Sequence, residues 1–450
     1  MLKKNLAVIT LIASVVLFAG LLSAQSLEEF EKKIHEYTLP NGLHVIILEN
    51  HSAPVVSFVT HVDAGSANEV VGKTGLAHFL EHMAFKGTTR YGTKDYNLEK
   101  PLFAKIDGIN AQIVVEKRKF NPDAKKIEKL EKEFKTVQKQ LDKLAKQAEF
   151  MAILKNEGAT GLDAGTDADL TIYIVSLPAN KAELWAMIEA HRFNDSVFRE
   201  FFKERDVIVE ERGLRVDSQP FGRLLEEFQA ISFKSHPYTV NTIGHMSDIK
   251  NLTRKDIRDF FNKYYVVSNM TIAIVGDVNP ETMIGHIRKY WGSMPRVDKP
   301  APPITVEPDQ LGEKTVTIRE KTQPILILGY HKPALSHPDS TKLELLSSLL
   351  AQGRTSRLHN RLVKKDKSAI ATFTFTGYPG TKYPGLILVA AVPSQGHKPE
   401  KVRDVIYEEI EKLKNDVIPT DELNKVKIQA KANLIRGLDS NLGMAINLAR

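Results

Sequence analysis

In the stretch TGLAHFLEHMAFKGT, three residues are of types that hold metals and move protons: His78, Glu81 and His82. On a helix, positions 78 and 82 lie one turn apart, so both imidazoles can reach one point at the roughly 2.0–2.1 Å of a zinc–nitrogen bond. Glu81 stands beside them, where a carboxylate can take a proton from an attacking water. This H-x-x-E-H order reverses the commoner H-E-x-x-H. The competing reading is two histidines satisfied by hydrogen bonds where a helix meets a sheet. A third protein ligand decides between them.

Catalytic zinc takes three protein ligands and keeps one position open, and two histidines with a glutamate are one established set. The segment FKERDVIVEERGLRVDS supplies candidates. Val207, Ile208 and Leu214 read as an apolar stripe, and Glu204 and Glu211, two turns apart, project from one side. For a lone glutamate on such a helix, a solvated face is an equally good account.

The pair HFLEH and, well downstream, ERDVIVEE resembles the pitrilysin/insulinase family of zinc peptidases, most closely its short members related to the mitochondrial processing peptidase. The likeness continues through TLPNGLHVIILENHSAPVVSFVTHVDAGSANE, HPYTVNTIGHMSDIKNLT and YYVVSNMTIAIVGDVNP, covering nearly all of residues 35–295 and weakening beyond. It implies that Glu211 is the third ligand and that Glu204 orients a ligand from behind. It also implies two homologous α+β domains around a chamber, one zinc ion per chain, and peptide substrate added as a strand to a sheet edge near the metal. The family has Asn-Ala-x-Thr at that edge. Here Asp163, Ala164, Gly165 and Thr166 stand there, so Asp163, Ala164 and Thr166 become the substrate-binding candidates, with the peptide's orientation altered by Asp163.

The elements that must position these groups are legible in part. Thr74 reads as the N-cap and Gly87 as the terminating residue of a helix of about three turns. Leu76, Phe79, Leu80 and Met83 form its core stripe. The family's gap from second histidine to third ligand is roughly 75 residues; here it is 129. The excess has a source. Leu102, Ile106, Ile109 and Ile113 make one stripe, and Ile127, Leu130, Phe134, Val137, Leu141, Leu144 and Ala148 make a heptad seam. Residues of about 98–150 therefore read as an inserted antiparallel helical hairpin, either packed on the domain or projecting toward a partner.

A Pro-rich segment, 296–318, separates this metal-bearing domain from 319–450, which repeats the strand–helix and strand–turn–strand–helix order without any H-x-x-E-H. The second copy holds 132 positions and reads as incomplete. Family members grip substrate with an Arg and a Tyr from the metal-free half, and no convincing pair stands in 319–450. That lack points to a dimer, with a metal-free homologous subunit or with itself.

Lys3 and Lys4 precede an apolar run from Leu6 to Leu22, and Ser23-Ala24 offers small residues for cleavage, so 1–24 reads as a secretory signal. Leu22 fits a cleavage site poorly, and seventeen residues can just span a bilayer, so an uncleaved anchor is the alternative. Either way the enzyme body is expected outside the cytoplasm, with the membrane involved only through that segment. The chain has no cysteine, which removes disulfides, a lipobox and thiolate ligation. A net charge of +7 is modest for 450 residues, and no basic stretch is interleaved with aromatics. Nucleic acid is therefore not an expected partner. The expectation is a zinc endopeptidase acting through Glu81, against a catalytically silent peptide-binding subunit.

Overall fold

The computed structural model describes residues 32–450; the segment read as a signal or anchor lies outside them. Among the described residues no helix is long and apolar enough to cross a membrane.

A six-stranded sheet organises the first domain. Its strands are β1 (Ile34–Thr38), β2 (His44–Glu49), β3 (Val55–Val62), β4 (Thr160–Thr166), β5 (Thr171–Pro178) and β6 (Met270–Gly276), in the order β1-β2-β6-β3-β5-β4. All pairings are antiparallel except β2 with β6. Alternation along the β-branched runs gives the sheet two apolar faces. Phe58, opposite Val175 and Ile274, faces the main core, while the neighbouring Val59, opposite Ile174 and Ala273, faces the other way.

The helices of this domain are α1 (Leu76–Met83), α2 (Tyr96–Lys117), α3 (Ala124–Leu144), α4 (Glu149–Asn156), α5 (Ala182–Asn194), α6 (Phe201–Arg212), α7 (Pro220–Ser232), α8 (Met246–Asn251), α9 (Arg254–Tyr264) and α10 (Pro280–Trp291). On the Phe58 face, Trp185 of α5 stacks on Phe58 at 4.1 Å, with Ile284, Ile287 and Trp291 of α10 in the same cluster. Each such fully buried side chain contributes roughly 1.5–3 kcal/mol.

The second domain has a three-stranded antiparallel sheet, β7 (Leu326–Lys332), β8 (Ala369–Tyr378) and β9 (Gly385–Pro393), in the order β7-β9-β8. That order repeats β3-β5-β4. Its helices are α11 (Ser340–Ala351), α12 (Pro399–Asn415), α13 (Thr420–Gly437) and α14 (Asn441–Ala449). α12 follows β9 as α5 follows β5, and its Val402 and Ile406 bury against Leu328, Val389 and Ala391. The last helix crosses back. Met444, Ala445 and Ala449 of α14 cover Leu48, Val59, Ala273 and Val275 on the outer face of the first sheet. The halves also meet where Leu386 and Leu388 pack with Ala67, Ala168, Phe228 and Tyr238. There Asp169 accepts from the backbone amides of Thr381 at 2.6 Å and Lys382 at 2.9 Å.

The helical hairpin expected at about 98–150 is formed by α2 and α3, each started by an aspartate: Asp95 accepts from the Asn97 amide at 2.8 Å and Asp123 from that of Lys126 at 3.0 Å. Phe103, Ile106, Ile109 and Ile113 join Leu130, Val137 and Leu141 in the cluster that contains the sheet's inner face. Phe134 meets Phe202 of α6 edge-on at 4.9 Å. The hairpin thus packs on the domain along this seam. The heptad reading overran its end: α3 stops at Leu144, Ala148 is exposed with φ 54°, and a separate helix, α4, puts Phe150 and Leu154 into the core.

The apolar stripe expected on α6 is also corrected. Ile208 is fully buried, but Val207 is 46% and Leu214 69% exposed. α6 inserts through Phe201, Phe202, Glu204, Ile208 and Arg212 instead. Polar members of that face are kept dry because each has a partner, so hydrophobicity alone misjudged which side is inward.

Candidate metal centre

The helix carrying the motif is shorter than expected, eight residues, and its N-cap is Gly75, not Thr74. Gly75 holds φ +83°, and a Cβ there would lie 2.4 Å from the carbonyl oxygen of Ile243. Thr74 is occupied elsewhere: its hydroxyl donates to Asp248 at 2.8 Å and accepts from the His245 amide at 2.8 Å. The capping carboxylate comes from Glu69, which accepts from the Gly75 and Ala77 amides at 2.8 and 2.7 Å. Beyond Met83 the chain tightens through Phe85 and Lys86 into Gly87, at φ +86°.

Leu76, Phe79, Leu80 and Met83 are all buried, as the periodicity requires, which turns His78, Glu81 and His82 toward α6 and β4. His78 Nε2 lies 3.7 Å and His82 Nε2 3.5 Å from Glu211 Oε2. One donor atom from each residue falls within 4.8 Å of the others. In a tetrahedral site with bonds of roughly 2.0–2.2 Å, two ligand atoms lie about 3.3–3.6 Å apart. The His82–Glu211 separation falls in that range and the His78–Glu211 separation just beyond it, and two imidazoles with a carboxylate are a donor set that suits zinc.

Protonation differs between the two histidines. Burial, with the charges of His82 and Arg215, lowers His78 to about 3, which keeps its imidazole neutral and able to ligate. His82 is half-buried, which alone would lower it; the bond to Glu204 and the charges of Glu204, Glu81 and Glu211 raise it instead, so a metal binding there displaces a proton from this ring. Its Nδ1 sits 2.9 Å from Glu204 Oε1 and leaves Nε2 facing Glu211. Glu204, pushed up by burial, is brought below the usual carboxylate range by its hydrogen bonds to His82 and Lys86. Glu81 is raised, first by burial and then by Glu211 and Asp163, against a hydrogen bond from Thr166.

Several supporting residues escaped the sequence reading. Lys86 reaches the second oxygen of Glu204. Arg215 holds Glu211 Oε1 at 2.9 Å. Each stands four residues from a candidate ligand, a helical spacing that could have exposed it. Arg199 had no such signal: it donates to Glu99 Oε1 at 2.8 Å and to the carbonyls of Lys86, Thr88 and Tyr91 at 2.8, 2.9 and 3.1 Å. This clamps the loop behind the motif helix.

β4 is an edge strand, paired with β5 alone among the described residues. Asp163 is exposed and Ala164 half-buried, and the Asp163 side chain accepts from the Ala164 amide at 2.9 Å. Thr166, by contrast, donates its hydroxyl to Glu81 Oε2 at 2.6 Å.

Residues 44–102, which contain the histidine pair, match the family described as insulinase (peptidase family M16), and residues 251–430 match its inactive domain. The zinc protease PqqE of Helicobacter pylori is 30% identical over 440 residues, 96% of this chain and 86% of that one. The chain belongs to the M16 peptidase family. Another M16 relative, the mitochondrial-processing peptidase subunit beta of Saccharomyces cerevisiae, is 25% identical, over 92% of this chain and 80% of its own. Among solved structures, a protease from Helicobacter pylori superposes with a TM-score of 0.75 at 29% identity, covering 93% of this chain and 88% of that one. The relatives named as zinc proteases imply zinc, and Glu211 lies outside both matched stretches.

Proposed function

We propose that this M16 chain is a zinc endopeptidase that hydrolyses peptides or unfolded segments, holding one zinc ion through His78, His82 and Glu211. The observation that carries the reading is the convergence of one donor atom each from His78, His82 and Glu211 within 4.8 Å, beside the buried carboxylate of Glu81. Zinc bound there supplies a Lewis acid that polarises a scissile carbonyl and brings the pKa of coordinated water to about 7. Glu81 takes the proton of the attacking water and returns it to the leaving amine. Glu204 fixes the His82 ring so that Nε2 stays the ligating nitrogen. The open edge of β4 receives the peptide main chain at Asp163, Ala164 and Thr166.

The matched inactive-domain stretch begins at residue 251, beyond His78, Glu81, His82 and Glu211, and the alternative of a catalytically silent peptide-binding subunit is decided by the experiment below. Export is proposed from the N-terminal leader. Partnership with a metal-free homologue, or with a second copy, is proposed because one relative is by name a subunit.

The test is Glu81→Gln, which keeps the side chain's shape and removes its basicity. Zinc content should stay at one per chain while cleavage of an unstructured peptide, assayed alone and with candidate partners, falls by about 10²–10⁴-fold. Retained turnover refutes the role of Glu81.

A further inference from the structure

Among the described residues, the one hydrogen bond to the Glu81 carboxylate comes from the Thr166 hydroxyl, at 2.6 Å to Oε2. That length belongs to a charge-assisted O–H to carboxylate bond. The proton has one competing destination, Thr171 Oγ1 at 3.3 Å. Thr171 gives its own proton to the Ala64 carbonyl at 2.9 Å and is fully buried, so it can only accept. The shorter, anionic partner wins. The donor itself is rigid: Thr166 pairs with Thr171 across the β4–β5 ladder, and a β-branched side chain has little freedom at χ1.

Thr166 thus differs from its neighbours on β4. Asp163 turns its side chain back on its own strand, whereas Thr166 ties the strand to the motif helix. With one lone pair of Oε2 engaged by the hydroxyl, Oε1, which accepts no hydrogen bond among the described residues, is the freer oxygen to take a proton. We infer that Thr166 is a positioning residue, whose hydroxyl pins Glu81 Oε2 and presents Oε1 to the attacking water, while only its main chain serves the bound peptide. The inference rests on the reading of Glu81 as general base and adds which oxygen acts and what holds it.

Thr166→Val keeps the shape and removes the donor; Thr166→Ser keeps the donor. With zinc content unchanged, Thr166→Val should lower kcat by about 10- to 100-fold with KM within about twofold, the pattern of a misplaced group and not of lost substrate binding. Thr166→Ser should recover kcat to within about threefold of the natural chain. A raised KM with unchanged kcat, or equal losses in the two variants, overturns the inference. Crystal structures of the zinc-free natural, Thr166→Val and Thr166→Ser chains give a second readout. The Glu81 carboxylate should turn from its natural orientation in Thr166→Val and hold it in Thr166→Ser; the natural orientation in all three chains overturns the inference. Should the natural chain cleave nothing with zinc bound, the peptidase reading fails, and the carboxylate's orientation still decides the role of Thr166.

Discussion

In the first domain, the helix that follows β3 buries His78 and Glu81 along with its apolar stripe; in the second, the helix that follows β7 buries Ser340, Ser347, Leu349, Leu350 and Ala351 and no ionisable group. The contrast extends behind each helix. Glu99, Glu116, Asp169, Glu189, Arg192, Arg199, Glu204, Arg212 and Arg254 are all buried in the first domain, against Lys332 and Glu409 among the described residues of 319–450. Both domains share one strand order, so the frame itself does not call for buried charge. Removing an ion from water costs several kcal/mol before any partner offsets it. In the first domain part of that cost falls beside the candidate ligands, where Glu204 bonds to His82, and a polar, rigid site explains that part.

If the convergence exists for a metal, the largest effect comes from removing one donor. Adjacent helical residues point about 100° apart. Accordingly Glu211 faces the histidines while Glu210 is exposed. Glu211→Gln should reduce zinc in the purified chain to trace levels by elemental analysis, beyond the roughly 10- to 100-fold loss of affinity typical for an outer partner. Glu210→Gln should keep a full complement. Equal stoichiometry would mean that another carboxylate, or none, completes the site.

The next effect is on stability. The Arg199 and Glu99 side chains are 3% and 0% exposed and fix the loop from Lys86 to Tyr91. Arg199→Ala leaves a fully buried carboxylate alone and should cost about 3–5 kcal/mol. Glu409 of the second domain pairs with Lys412, whose side chain is 46% exposed, so Glu409→Gln should cost under about 1 kcal/mol. Thermal unfolding of the two variants measures the difference. Similar midpoints would erase the distinction between the domains.

What was legible before the structure follows from the range of each interaction. The histidine pair and the core stripe of Leu76, Phe79, Leu80 and Met83 are set by helical spacing within ten residues. Glu211, 129 positions after His82, came through family resemblance, since spacing alone left it level with a solvated glutamate. Arg199 meets Glu99 across 100 residues, and Thr166 meets Glu81 across 85, with no local pattern to announce either. α6 misled for a related reason. Its buried face holds Glu204 and Arg212, whose partners sit on other helices, while Val207 and Leu214 stay in solvent. Thr74 has the right chemistry for an N-cap, yet tertiary contacts with Asp248 claim it, and Gly75 is required by the close approach of Ile243.

The smallest effect should come from the layer behind His82, and it separates ligand support from simple packing. Glu204 bridges His82 Nδ1 and Lys86, and its hydrogen bonds keep it ionised against burial. Glu204→Ala frees the imidazole to rotate or change tautomer, so zinc affinity, measured by competition with a chelator, should fall by about 10- to 100-fold. Lys86→Met keeps the direct bond and removes only the charge that orients the carboxylate, and its loss should stay below about tenfold. Lys86 has a second oxygen of Glu204 and nothing of His82 within reach, so its influence must pass through the carboxylate. In the Glu204→Ala chain, adding Lys86→Met should therefore change affinity no further, the signature of residues acting in series. Additive losses would show that Lys86 acts on the site independently. If neither substitution moves affinity while both lower the melting temperature, the buried charges of the first domain serve its packing, and the contrast with the second domain has another cause.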